Sequence, residues 1–109
     1  MNYEVLTISV FEKQSKKLKK KYVSLKEDLL KLVLLLKTNP EFGTSIGKNC
    51  FKIRLAITSK NKGKSGGARV VTNFVISDNK IYLLTIYDKS ERDNITDAEL
   101  DELLSSVPQ

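Results

Sequence analysis

At Cys50 the hydrophobic period of the chain changes. Upstream, apolar residues recur at helical spacing. From Cys50 onward they alternate, with Phe51, Ile53, Leu55 and Ile57 on one side and Lys52, Arg54 and Ala56 on the other. An alternating run is a half-exposed strand, and a period of 3.6 is an amphipathic helix, so the chain must layer one kind of element on the other.

The remaining elements follow from local signals. Tyr3–Ile8 reads as a first strand. Ser9 followed three residues later by Glu12 is a capping-box pattern that opens a helix to about Tyr22. Phe11, Leu18 and Tyr22 lie near one stripe of that helix, and six lysines between Lys13 and Lys21 occupy most of the rest. Ser24 and Glu27 repeat the pattern and start a second helix, Leu25 to Lys37, apolar over most of its circumference and therefore the main core helix. Asn39-Pro40 ends it, and Gly43 and Gly47 mark a loop. After the strand from Cys50 come a strand at Ala68–Ser77, a turn at Asp78-Asn79 and a strand at Lys80–Tyr87. The last of these is apolar on both faces and so belongs in the middle of a sheet. Thr96 with Glu99 gives a third capping box and a short C-terminal helix burying Leu100, Leu103 and Leu104. The order β-α-α-β-β-β-α predicts one α+β domain over residues 1–109. Its expected form is a small, mostly antiparallel four-stranded sheet with two N-terminal helices packed on one face and a short C-terminal helix.

Charge is distributed unevenly. The net charge is +6, yet residues 76–109 carry three basic and eight acidic side chains, and no acid occurs between Phe42 and Ser77. A cationic middle with an acidic tail suits a polyanionic partner such as nucleic acid. The absence of histidine excludes histidine general bases, histidine-bearing zinc sites and Ser-His-Asp triads. The single Cys50 forms no internal disulfide, which fits a reducing cytoplasm. The N-terminus lacks the pattern of a secretory signal. The apolar stretch Leu29–Leu36 is far shorter than the ~20 residues of a membrane span, so no membrane partner is expected.

The chemistry candidates lie on the polar side of the strands. Lys52 and Arg54 alternate onto it, and pairing of their strand with Ala68–Ser77 as a hairpin brings Arg69 to the same side. Taken alone, Lys52 and Arg54 read most simply as the wet face of a half-exposed strand. The hairpin loop adds Lys60, Lys62 and Lys64 beside glycines. It has no Walker pattern, because it joins two strands. Lys89 follows the last strand; a two-residue turn at Asp78-Asn79 points it away from Arg69 unless a bulge intervenes. Cys50 reads as a small structural hydrophobe. The acidic residues Asp88, Glu91, Asp93, Asp97 and Asp101 suit positions near a helix N-terminus better than a divalent metal site.

The ordered set F-x-K-x-x-K-K-L-x-K-K-Y (Phe11 to Tyr22), N-P-x-x-G (Asn39 to Gly43), F-K-I-R-L-A (Phe51 to Ala56), S-K-x-K-G-K-S-G-G-A-R-V (Ser59 to Val70) and I-Y-D-K-S-E (Ile86 to Glu91) resembles the RelE/ParE superfamily of bacterial toxins. K-G-K-S-G-G-A-R and I-Y-D-K-S-E are most similar to its HigB-like branch. The resemblance implies the toxin of a type II toxin–antitoxin module. It implies a ribosome-dependent, metal-independent mRNA endonuclease without a cofactor, cutting in the A site of the 70S ribosome by attack of a ribose 2′-hydroxyl to leave a 2′,3′-cyclic phosphate. By position, Lys52 and Arg54 match basic strand residues that bind RNA and assist proton transfer. Arg69 matches an arginine that stabilises the transition-state phosphate, and Lys89 stands where many relatives carry arginine or histidine. Lys60, Lys62 and Lys64 would grip the RNA backbone. Relatives carry a tyrosine shortly after the last basic residue; Ile95 stands at about that position here, and Tyr87 is the tyrosine left to replace it. The implied partners are a cognate antitoxin, mRNA and the ribosome, with the toxin monomeric alone and hetero-oligomeric with its antitoxin. Two other readings remain: a ParE-like inhibitor of DNA gyrase, and a catalytically weak paralogue that binds nucleic acid.

Overall fold

In the computed structural model, which describes residues 2–60, 63, 66–92 and 94–108, the chain order is β1 (Glu4–Thr7), α1 (Ser9–Lys21), α2 (Leu25–Leu36), β2 (Thr44–Gly47), β3 (Cys50–Leu55), β4 (Ala68–Val75), β5 (Lys80–Asp88) and α3 (Asp97–Leu104). The strands form one sheet in the order β1-β5-β4-β3-β2. β1 runs parallel to β5, and every other pairing is antiparallel.

The sheet therefore has five strands among the described residues, not four. The extra strand, β2, comes from the stretch expected as a loop between Gly43 and Gly47. It forms because Lys48 and Asn49 both adopt φ 57°, the left-handed pair that a two-residue hairpin turn demands, and this folds Thr44–Gly47 back on β3. Four residues flanked by glycines carry no alternation, so the hydrophobic pattern is silent there.

The apolar side of β3 and its neighbours packs under the N-terminal helices. Ile53 pairs with Val70 and Val70 with Ile86, and all three are buried. α2 presents Leu25, Leu29, Leu32 and Leu36 to this core, while Phe11 anchors α1. α2 is not buried all round: Leu30 and Leu34 remain 55% and 60% exposed. α1 also closes an open stretch of β5. Beyond the four-residue β1, the Gln14 side-chain carbonyl accepts from the Ile86 N–H at 3.0 Å and from Thr85 Oγ1 at 2.8 Å. No helix among the described residues is long and apolar enough to cross a membrane.

The three capping patterns have different outcomes. Thr96 and Glu99 make the complete reciprocal box at the start of α3. At α1 the N-cap is Ile8, and Glu12 instead accepts from Thr7 Oγ1 at 2.5 Å. Ser24 occupies the N-cap position of α2, but its hydroxyl donates to Asp28 at 2.9 Å. Asp28 is buried and also accepts from the Thr58 N–H, so the serine serves a tertiary contact.

One irregularity governs the sheet. Val71 pairs with Thr85 but Thr72 pairs with Leu83, so Leu84 is an extra residue in β5, a β-bulge. Without it, the alternation set at the Val75–Lys80 end would turn Tyr87 and Lys89 away from Arg69. With it, Tyr87 pairs directly with Arg69. The ladder reaches one residue further, where the Lys89 N–H donates to the Gly67 carbonyl at 3.0 Å.

Gly67 is where the basic loop re-enters the sheet. A Cβ there would lie 2.1 Å from the Leu55 carbonyl oxygen, which is backbone and cannot swing aside. Gly67→Ala is expected to lower the unfolding free energy by about 1–3 kcal/mol through overpacking. The Lys89 amide should also exchange faster with solvent, while the Ile86 amide, held by Gln14, keeps its protection. Urea titration with hydrogen exchange checks both outcomes.

Candidate active site

Three strands deliver one row of functional side chains. Arg54 on β3 pairs with Arg69 on β4, which pairs with Tyr87 on β5. Directly opposite residues on adjacent strands point to the same face, ~5 Å apart at Cβ. Lys52 joins that face two residues from Arg54. The expectation that Arg69 shares the face of Lys52 and Arg54 is met by the register. Arg54 is exposed, whereas Arg69 is only 4% exposed, with Nη1 donating to the Ala68 carbonyl at 3.2 Å. Two arginines opposite one another concentrate positive charge on this face. Lys52 and Arg54 also line an open cleft of about 730 Å³ with Asn39, Glu41, Phe42, Gly43 and Thr44.

The segment after β5 crosses this face. The Arg92 guanidinium sits 5.0 Å over the Tyr87 ring and donates from Nη2 to both Glu99 carboxylate oxygens at 2.8 and 2.9 Å. The same guanidinium holds the Asn94 carbonyl at 3.1 and 2.7 Å, and Lys52 Nζ donates to Asn94 Oδ1 at 3.2 Å. The Arg92 hydrogen bond, followed by the Thr96 backbone N–H, holds the Glu99 carboxyl below its ordinary range. Arg92 and Asn94 were not singled out by the sequence. The capping box gave no pointer to them, because its Glu99 already has a local partner in the Thr96 N–H.

The other expected residues sit as follows. Lys89 is half-buried one residue beyond β5. Tyr87 is buried beneath Arg92. Ile95 packs against the hydrophobic core. Lys62 and Lys64 lie outside the described residues. Lys60 is turned inward: its Nζ contacts Asp88 Oδ1 at 3.0 Å, and its side chain is largely covered. Of the acidic set, Asp97 lies in the first turn of α3 and Asp101 pairs with Lys48. Asp93 is also outside the described residues. Cys50 is fully buried, and that burial pushes its thiol pKa up, as suits a packing residue.

Asp88 is the acid with an unexpected place. Its buried carboxylate accepts from Tyr22 Oη at 2.5 Å, Lys60 Nζ at 3.0 Å, and the Ser90 N–H and Oγ at 2.9 and 2.7 Å. Burial works against the charge, but the bonds from Tyr22, Ser90 and Lys60 outweigh it and hold the carboxyl well below the usual carboxylate range.

An α+β fold of this kind has known counterparts. A model of the family described as the RelE toxin of the RelE/RelB toxin–antitoxin system matches residues 8–107, and the chain belongs to that family. An arginine-to-alanine double mutant of the E. coli RelE toxin in the free state is similar at a TM-score of 0.63 and 19% identity, over 97% of this chain and 94% of that one. The isolated E. coli RelE toxin is similar at a TM-score of 0.62 and 17% identity, over 96% of this chain and 99% of that one. The protein is thus a toxin of a toxin–antitoxin pair, and its family implies a RelB-type antitoxin as partner.

Asp88→Asn should lower the unfolding free energy by about 3 kcal/mol, because it leaves Lys60 without its buried counter-charge. The native carboxyl ionises at lower pH than the unfolded one. Its contribution is therefore complete above about pH 4 and is lost as pH falls from there through the folded-state value. Chemical denaturation across that range should show the wild type losing stability more steeply with acid than the variant.

Proposed function

We propose that this toxin is a ribosome-dependent mRNA endonuclease of the HigB-like branch, acting in the cytoplasm without metal or cofactor. The observation that supports it best is the Arg54–Arg69 pair, two cations set opposite one another on adjacent strands beside an open cleft. Two positive charges on one face are matched to a dianionic phosphorane.

In this reading the mRNA lies across the strand face in the ribosomal A site. The ribose 2′-hydroxyl loses its proton and attacks the adjacent phosphorus. The bond to the 5′-oxygen breaks, that oxygen takes up a proton, and a 2′,3′-cyclic phosphate and a free 5′-hydroxyl result. Lys52 and Arg54 bind the RNA and assist the proton transfers. Arg69 stabilises charge on the phosphorane and Lys89 supports the leaving side. Tyr87, under Arg92, shapes the floor of the site. Lys62 and Lys64 hold the RNA backbone, while Lys60 acts from its pairing with Asp88 as an anchor for that loop. The ribosome supplies mRNA positioning, which for a well-oriented intramolecular attack is a large share of the rate. The toxin is monomeric alone, and the antitoxin silences it in a hetero-oligomer.

Induced expression should arrest growth and produce translation-dependent cuts inside codons. Arg69→Ala combined with Lys89→Ala should abolish them. The exposed Arg54→Ala should slow cleavage in a translation extract by roughly 10²-fold, the scale of one lost transition-state donor, and melt like the wild type. Unchanged cleavage in the double variant would refute the site. Arrest of replication before translation would instead favour a ParE-like gyrase inhibitor.

A further inference from the structure

α1 carries six lysines and one acid, Glu12, in thirteen residues. Phe11 and Ser15 turn to the core, with Leu18 partly buried beside them. Lys13, Lys16, Lys17 and Lys20 recur at i, i+3, i+4 and i+7 on the opposite side, all exposed. Lys21 pairs with Glu91 at 3.1 Å; among the described residues, none of Lys13, Lys16, Lys17, Lys19 and Lys20 pairs with a carboxylate. The helix dipole accounts for cations in the last turn, Lys19 to Lys21, but not for Lys13 and Lys16 further up. Like charges at this spacing destabilise a helix, so their concentration calls for an external anion.

The outer face also says which anion. A helix lying on a membrane needs a band of apolar residues bordering its cationic stripe, and α1 exposes a single one, Val10 in its first turn, while Phe11 and Leu18 turn to the core. A protein partner needs apolar anchors, and those are on α2, at Leu30 and Leu34. Single-stranded nucleic acid is gripped by stacking on aromatic rings; the lysine stripe has none, and Tyr22 is committed to Asp88. Lysines are point charges without the planar fork that reads bases or clamps one phosphate in two places. What remains is the phosphate backbone of a double helix. We infer that α1 is a second RNA-binding surface, docking on the phosphates of double-helical RNA apart from the strand-borne site. The choice of RNA over DNA rests on the nuclease reading. Lys17 and Lys21 border a cleft of about 550 Å³ with Tyr87 and Arg92, whereas Lys13, Lys16 and Lys20 do not, so these three test the surface alone.

The test titrates the full chain, and its Lys13→Gln/Lys16→Gln/Lys20→Gln variant, against a short RNA duplex and the matching DNA duplex over a salt series. The variant should bind RNA duplex more weakly, on the order of tenfold or more, with the slope of log affinity against log salt reduced by about 3. The Lys→Arg counterpart should keep both affinity and slope, and neither variant should melt below the wild type, the glutamine variant slightly above it. Equal affinity and slope for wild type and glutamine variant would overturn the proposal. Tighter binding of the DNA duplex through the same lysines would overturn the assignment to RNA. A chain that cuts no mRNA, yet binds RNA duplex through these lysines, would end the nuclease reading and leave this surface standing.

Discussion

A carboxylate with almost no contact with water joins three separate stretches of this chain. Asp88 would be expensive to bury alone, and it is tolerated because two hydroxyls, an ammonium and a backbone N–H converge on it. Tyr22 closes α1, Lys60 ends the short turn after β3, and Ser90 follows β5. The helical hairpin and the root of the basic loop are thereby tied to the strand that carries Tyr87. Asp28 repeats the device nearby, accepting from the Thr58 N–H at 3.0 Å and its hydroxyl at 2.6 Å, and from Ser24. The loop therefore springs from a base with two buried anionic anchors.

Hydrophobic periodicity was sufficient where an element buries one face. It located α1, α2, β3, β4, β5 and α3, with bounds close to those found, and the alternation of Phe51 to Leu55 put Lys52 and Arg54 on the polar side. It failed where backbone conformation decided the outcome. β2 depends on a left-handed pair at Lys48 and Asn49, residues that do not announce such a turn as Asn-Gly would. The caps of α1 and α2 failed for another reason. Ser9 and Ser24 had the right spacing, but α1 starts one residue early with Ile8 as its N-cap, the Ser24 hydroxyl goes to Asp28, and only Thr96 kept its local bond.

For the site, residue types were easier to read than partners. The cationic row was visible in Lys52, Arg54 and Arg69 because strand parity is geometric. Lys60 was indistinguishable from its loop neighbours until Asp88 appeared beneath it. Arg92 and Asn94 come to the row through a segment with no periodicity, so no pattern in the chain pointed to them. The acidic tail has acquired a structural use as well: Glu99 and Asp101 bind Arg92 and Lys48 and hold α3 near the cationic strands. The same complementarity that suits a basic protein to a polyanion here fastens its own terminus.

Leu84 illustrates how narrowly such a site is specified. It adds one residue to β5, is itself fully buried, and by that single step decides which face Tyr87 and Lys89 occupy. The same step keeps Ile86 and Asp88 on the side that faces the helices. Core and site therefore depend on one parity. At the level of the gene, a one-codon deletion there reverses both at once, so selection for a folded domain and selection for a toxin act on the same codon.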